Sequence, residues 1–301
     1  MSFINKALEK AKSLRHQTVK PPSAPSQEPP KMAWPELDEA TGFAETPGEI
    51  QYTYTRKVAV DMNSLRRYRL TVNGCDQALG EAYKLLRTHV LHRTKREGRN
   101  TLMVTSPLPN EGKTLTTINL AIAISQKIGQ TVLLVDGDLR NPSIHRYLDL
   151  PSGPGLVDYL VSGAPIAESL VHPEGLANLV VLPAGKSTSE ATKLLSSPAM
   201  VDLVKELKHF YPDRYVLFDL PPLLYADPLA FAPLVDGIIL IAEAGRTPRE
   251  EIVRVVELLK EFPVLGFVLN KMDTRSLSYG YYNKYYADRD SQKKFKLPWL
   301  K

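Results

Sequence analysis

A doubly wound α/β architecture, with a mostly parallel sheet and helices on both faces, is what this sequence predicts. Three observations carry the prediction. Apolar runs that suit strands buried on both faces end in aspartate at VLLVD (from Val132) and VLFD (from Val216). Segments with helical periodicity alternate with such runs across the centre of the chain, the order expected of a parallel sheet with crossover helices. The third is the stretch TLMVTSPLPNEGKTLTTINLAIAIS from Thr101, which reads as strand, polar loop and helix in succession.

That stretch organises the rest. Leu102, Met103 and Val104 form the strand, Ser106-Pro107 breaks it, and an apolar-periodic helix re-emerges from about Lys113. A loop closing in Gly-Lys-Thr before a helix presents backbone N–H groups and the positive helix end to an anion. Lys113 adds a point charge for outer phosphates, and Thr114 offers a hydroxyl for Mg²⁺. Asn110, Glu111, Gly112, Lys113, Thr114 and Leu115 are therefore the expected nucleotide contacts. The usual pattern opens on a glycine where this chain has Pro107, so the loop is a deviant form. A bare Gly-Lys-Thr also fits a surface turn, but the legible strand and helix beside it favour phosphate binding. On an exposed loop, Lys113 is expected to be replaceable without unfolding the protein.

The 301 residues, 43% of them hydrophobic, suffice for a substantial core in one large or two small domains. A formal charge of +5 is too mild to argue for nucleic acid as a partner. Cys75 is the single cysteine, which excludes an internal disulfide framework and suits a reducing cytoplasm. No apolar run approaches the length of a membrane span, and no signal-peptide core follows Met1, so a soluble cytoplasmic protein is expected.

Taken in order, residues 1–18 place Phe3, Ile4, Ala7, Leu8, Ala11 and Leu14 on one helical face with lysines around the remainder. This amphipathic helix suits docking to a protein partner; a solvated helix or a membrane-surface helix are the alternatives. Residues 19–51 are proline-dense and aperiodic, the composition of a disordered linker. The folded domain is expected at 52–274. It opens with strands in VAVDM and YRLTV (from Val58 and Tyr68), then a helix with Leu79, Tyr83, Leu86 and Val90 on one face. Glu81, Lys84 and Arg87 recur by threes on another face, which spacing alone reads as exposed charge. Beyond the loop come a helix in GLVDYLVSG, a strand in LVVLPAG, and one longer helix across EATKLLSSPAMVDLVKELKHF. A strand in GIILIAEAG, a helix in REEIVRVVELLKEF and a final strand in VLGFVLNKMD follow. The tail, 275–301, holds Tyr279, Tyr281, Tyr282, Tyr285 and Tyr286 with no apolar period, and is expected to be unfolded on its own.

Asp136, Asp138 and Asp219 lie at the carboxyl ends of strands, the edge where open α/β sheets bind ligands. Mg²⁺ on a nucleotide needs hard oxygen ligands, which Asp219 can supply directly or through water. Of Asp136 and Asp138, one can support the metal while the other accepts a proton from an attacking hydroxyl. A single strand-end aspartate is often only a cap or turn residue; three around one loop favour chemistry.

From about Cys75 to Tyr286 the chain resembles the bacterial tyrosine autokinases of exopolysaccharide and capsule synthesis, which are P-loop ATPases of deviant Walker type. TSPLPNEGKT resembles their phosphate loop, VLLVDGDLRNP their second aspartate motif, VLFDLPP their Walker B strand, and EAYKLLRT the helix they use for subunit contact. The tyrosine-rich tail is similar to their autophosphorylated cluster, and MSFINKALEKA to the start of cytoplasmic members of export systems. Three features depart from the pattern. Asn110 stands where these kinases usually carry glycine, and Lys84 where the contact motif has its first arginine; asparagine tolerates positive φ, but lysine cannot make a forked contact. Asn270, Lys271 and Asp273 spell the guanine-reading pattern of GTPases, although the resemblance places Asn270 near an adenine base.

The resemblance implies an ATP- and Mg²⁺-dependent protein-tyrosine kinase that phosphorylates its own tail, between subunits of a ring contacting through Glu81, Lys84 and Arg87. It further implies a membrane-embedded polysaccharide co-polymerase as activator, recruitment to the inner membrane face through that partner, and a tyrosine phosphatase that resets the tail. By the same reading Lys113 holds phosphates, Thr114 and Asp219 hold Mg²⁺, and Asp136 or Asp138 orients and deprotonates tyrosine. The reading from another class is a nucleotide-switched binding module of the partitioning-ATPase type, without kinase activity.

Overall fold

The computed structural model describes residues 55–72, 76–176, 178–210 and 214–272. The helix expected in 1–18, the linker 19–51, Cys75, Asp273 and the tail 275–301 with its five tyrosines lie outside the described residues.

The described chain builds one sheet from eight strands: β1 Arg56–Val58, β2 Thr101–Thr105, β3 Thr131–Asp136, β4 Val171–Pro173, β5 Leu179–Leu182, β6 Arg214–Asp219, β7 Gly237–Glu243 and β8 Val264–Asn270. Their spatial order is β1-β4-β5-β3-β6-β2-β7-β8, with every neighbouring pair parallel except β4 and β5. The helices are α1 Met62–Arg67, α2 Gln77–Thr94, α3 Lys113–Ser125, α4 Ile144–Tyr147, α5 Leu156–Ser162, α6 Ile166–Ser169, α7 Ala191–Leu195, α8 Pro198–Phe210, α9 Asp227–Phe231 and α10 Arg249–Leu258.

The apolar runs become strands because each buries both faces. All five residues of β2 are buried, and one core cluster joins Leu102 and Val104 to Leu134, Leu217, Ile239 and Ile241. Ile118 and Ile122 of α3 and Val90 and Leu91 of α2 complete that layer. Alternate strand residues point the other way, where Phe218 meets Phe231 of α9 with ring centroids 4.8 Å apart. Each fully buried side chain of this size contributes roughly 1.5–3 kcal/mol by leaving water, so helices are held to both faces of the sheet.

Three local expectations are corrected. The strand expected from Val58 reduces to β1, because Asp61 accepts the N–H groups of Asn63 and Ser64 and starts α1. YRLTV joins no ladder: Leu70 and Val72 are buried, but the Thr71 N–H donates to the Asn119 side chain at 2.7 Å. The single long helix is two, since Pro198 lacks the N–H that a continuous helix would need there; it opens α8 instead.

This topology positions the site. Strands β3, β6 and β2 lie side by side, with Asp136 opposite Asp219 and Asp219 opposite Val104. The carboxyl ends of all three therefore meet at one sheet edge, and the loop from β2 to α3 passes over it.

Candidate active site

The loop runs Ser106 to Gly112 and is held from several sides. Ser106 Oγ donates to the Leu108 carbonyl at 2.8 Å, and the Leu223 N–H to the Ser106 carbonyl at 2.8 Å. The Glu111 carboxylate is buried; it accepts the Leu108 N–H at 2.8 Å and the Thr247 hydroxyl. From the end of β8, Asn270 Nδ2 donates to the Glu111 carbonyl at 2.8 Å. Lys271 Nζ donates to the Asn110 carbonyl and to Glu243 Oε2. Asn110 takes φ = 65°, a conformation asparagine tolerates better than most residues. Gly112 has φ = 88°, and a Cβ there would lie 2.2 Å from Asn270 Nδ2, so this position excludes a side chain twice over.

Gly112 hands the chain to α3, whose first residues face the aspartates. Lys113 Nζ lies 2.8 Å from Asp138 Oδ2 and 3.7 Å from Asp219 Oδ2. Thr114 Oγ1 donates to Asp219 Oδ2 at 2.6 Å, and Thr117 Oγ1 lies 3.3 Å from Asp219 Oδ1. Asp136 Oδ2 accepts the N–H groups of Ser143 and Ile144, each at 3.0 Å, whereas Asp136 Oδ1 is buried without a hydrogen-bond partner. Asp138 Oδ1 accepts the Asn141 N–H at 3.1 Å. The structure thus brings Lys113, Thr114, Asp136, Asp138 and Asp219 together. It also corrects one expectation: the Lys113 side chain is only 12% exposed and is ion-paired, not free on a surface loop.

Burial dominates the electrostatics. It pushes Asp136 up to about 7, with the neighbouring Asp219 charge adding to it. Burial also raises Asp219 above the ordinary carboxylate range, against the pull of Lys113 and the Thr114 hydroxyl. For Lys113 burial works against the charge, but Asp219 and Asp138 outweigh it and the ammonium is held more firmly than usual.

The donor set fits a magnesium nucleotide. Among the described residues no three carboxylate, histidine or cysteine groups form a metal cage. Mg²⁺ is usually held by one or two carboxylates together with phosphates and water, not by an all-protein cage. Thr114 and Asp219 offer such oxygens, and the orphaned Asp136 Oδ1 is a buried acceptor that a bound water would satisfy.

Other expected residues sit apart. Leu115 is half-buried against the core. On α2, Lys84 and Glu81 pair with each other at 2.8 Å and are about half exposed, while Arg87 Nη1 donates to the Ala123 carbonyl of α3 at 3.0 Å. Sequence reasoning missed the clamp from Glu243, Thr247 and Lys271. It also missed Arg140, whose guanidinium forks onto the buried Asp227 carboxylate at 2.6 and 3.1 Å. The signal for Arg140 and Asp227 lay in the LRNP and YADP segments, each following a strand end that carries an aspartate.

The chain is similar to known proteins over this region. Tyrosine-protein kinase YwqD of Bacillus subtilis (strain 168) is 33% identical over 206 residues, 67% of this chain and 85% of the relative. Succinoglycan biosynthesis transport protein ExoP of Rhizobium meliloti (strain 1021) is 33% identical over 204 residues, 65% of this chain but 24% of the relative; the chain spans about a quarter of that longer protein. Among solved structures, the kinase domain of the Escherichia coli tyrosine kinase ETK superposes with a TM-score of 0.62 at 27% identity, over 67% of this chain and 79% of that one. No family model matches the chain.

Proposed function

The chain belongs to the bacterial tyrosine-protein kinases, and on that premise we propose that it transfers the γ-phosphoryl group of ATP to tyrosines of its own C-terminal tail. The observation that carries this reading is the cluster at one sheet edge: Lys113 between Asp138 and Asp219, with Thr114 on Asp219 and Asp136 beside them. Phosphoryl transfer is mainly a matter of positioning and of neutralising charge on the transferred group. Lys113 binds the outer phosphates, and the backbone N–H groups at the start of α3 face them. Thr114 and Asp219 hold Mg²⁺, which supplies further charge neutralisation when bound with the nucleotide. Asp136 and Asp138 share metal support and acceptance of the tyrosine proton; a carboxylate raised towards neutrality is a competent base near the working pH. Tyr279, Tyr281, Tyr282, Tyr285 and Tyr286 are the acceptors.

ATP is the nucleotide despite Asn270 and Lys271, whose side chains are engaged with the loop carbonyls. Calorimetric titration is expected to show tighter ATP than GTP binding; the reverse order would mean that the end of β8 reads guanine.

Transfer runs between subunits of a homo-oligomer in which α2, through Glu81, Lys84 and Arg87, forms the contact. The relative named for succinoglycan biosynthesis transport supports a role beside polysaccharide export. A membrane-embedded co-polymerase is then the activator that recruits the chain to the inner membrane face through residues 1–18, and a tyrosine phosphatase resets it. No described helix is long and apolar enough to cross a membrane. The test of transfer mixes two defective proteins: Lys113→Ala with an intact tail, and an intact loop with the five tail tyrosines changed to Phe. Phosphate is expected on the Lys113→Ala chain. If that mixture stays unlabelled while wild type reacts at a rate independent of concentration, transfer is within one chain.

A further inference from the structure

Beside the phosphate loop, the segment after β6 does something unusual for a surface turn: it exposes two large apolar side chains in a row. Leu224 is 55% exposed and Tyr225 41%. The turn beneath them is fixed from several sides. Thr105 Oγ1 donates to the Pro221 carbonyl at 2.6 Å, the Leu223 N–H to the Ser106 carbonyl at 2.8 Å, and the Tyr225 N–H to the Pro222 carbonyl at 3.0 Å. The ring of Tyr225 carries the Arg140 guanidinium over its face, 5.2 Å from the centroid, within the range of an attractive cation–π contact. Arg140 in turn cannot swing away, because Asp227 is fully buried and takes its fork, and Thr192 accepts from Nη2 at 3.2 Å. A guanidinium so saturated is a support for the ring. What the loop offers to solvent is a rigid aromatic and aliphatic surface.

Its place in the fold indicates an occupant. Arg140 follows Asp138 by two residues, and Leu224 and Tyr225 follow Asp219 on β6. The surface therefore borders the reacting edge. Because β8 is parallel to β7, Met272, the last described residue, leaves at that same edge. β8 is three places from β6 in the sheet, or roughly 14 Å at about 4.8 Å per strand. Tyr279 lies seven positions beyond Met272, enough for roughly 24 Å of extended chain, so a tail of this chain or of a second copy reaches the surface.

We propose that Leu224 and Tyr225, held in place by Arg140 and Asp227, are the seat on which the acceptor tyrosine ring of the tail packs before it receives phosphate. The seat rests on the reading of the tail as acceptor. It makes Tyr225 and Leu224 determinants of acceptor specificity, with Arg140 and Asp227 as positioning residues. Stacking on one aromatic side chain is worth enough for about a tenfold change in apparent affinity.

The test uses full-length chains. The acceptor is the Lys113→Ala protein with its tail intact. The donor is the chain whose five tail tyrosines are Phe, with Tyr225 either unchanged or replaced by Ala or Phe. Initial rates are measured against acceptor concentration. Tyr225→Ala is expected to raise KM for the acceptor about tenfold with little change in kcat, and to leave the Kd for ATP unaltered. Tyr225→Phe, which keeps the ring, is expected to match the unchanged donor. An unaltered KM in Tyr225→Ala overturns the seat, as does a Tyr225→Phe donor as poor as the Ala one, or phosphate mapped to Tyr225 itself. If the donor with Tyr225 unchanged fails to label the acceptor at all, the acceptor reading falls and the seat falls with it.

Discussion

Lys113→Ala is expected to lower phosphotyrosine formation by at least about 10²–10³, the usual effect of removing one hydrogen-bond donor that stabilises charge in the transition state. The structure adds a second consequence. Lys113 is the cation between Asp138 and Asp219, at 2.8 and 3.7 Å, and its side chain is 12% exposed. Removing one partner of a buried pair costs about 3–5 kcal/mol, because the other charge is left uncompensated. The variant is therefore expected to fold but to melt earlier than wild type, most of all at alkaline pH. On acidification the deficit narrows, since Asp219, already raised by burial, takes up a proton in place of its lost partner. Circular dichroism through a thermal ramp at several pH values checks the stability arm, and intact mass after incubation with Mg-ATP checks the other. A folded Lys113→Ala protein with wild-type mass increments would remove this residue from the mechanism.

Asp136→Asn has the opposite sign for stability. The Asp136 pKa moves from 3.8 to about 7 in the folded protein, through burial first and the charge of Asp219 second. A carboxyl raised in this way binds its proton more tightly when folded, so its favourable contribution is complete below pH 3.8 and lost as pH rises through about 7. At 1.36 kcal/mol per unit, the ionised group costs the empty site about 4 kcal/mol at pH 8. Asparagine is of the same shape; its carbonyl can take the Ser143 and Ile144 N–H groups that Asp136 Oδ2 accepts now, without the charge. The nucleotide-free variant should melt several degrees above wild type at pH 8, with a gain that shrinks on acidification, while phosphotyrosine formation is lost. A variant no more stable than wild type at pH 8 would mean that Asp136 is ionised at no cost. Function and stability thus oppose one another at this side chain.

What the sequence made legible was burial and punctuation. The β2, β3, β6 and β7 runs announce themselves because a strand covered on both faces has no polar side, and Asp136 and Asp219 are visible as the first charge after the β3 and β6 runs. Pairing was less legible. YRLTV has the composition of a strand, and Leu70 and Val72 are indeed buried. Its backbone is nonetheless satisfied by Asn119, a side chain 48 positions away along the chain, and no local pattern encodes that. The same holds for the loop clamp: Glu111 meets Thr247 across 136 positions, and Lys271 meets Asn110 across 161. Arg140 reads as one more surface charge until the fold brings Asp227 beneath it.

The order of strands also bears on how the protein is made. β2, which carries the phosphate loop, pairs with β6 and β7 and with no earlier strand: Thr101 lies beside Val216 and Leu102 beside Gly237. When β2 leaves the ribosome its partners are still more than a hundred codons away, roughly 6–20 s at ordinary rates of synthesis. During that interval a largely apolar strand has both hydrogen-bonding edges open, the state in which nascent chains pair with the wrong neighbour. β3 and β5 pair with each other and can close sooner, so a partial sheet precedes the nucleotide site. A message truncated before the codon for Arg214 yields a chain in which Thr114 and Lys113 have lost Asp219 and β2 has no ladder to join. Such a fragment is a substrate for chaperones and proteases, not a weaker kinase.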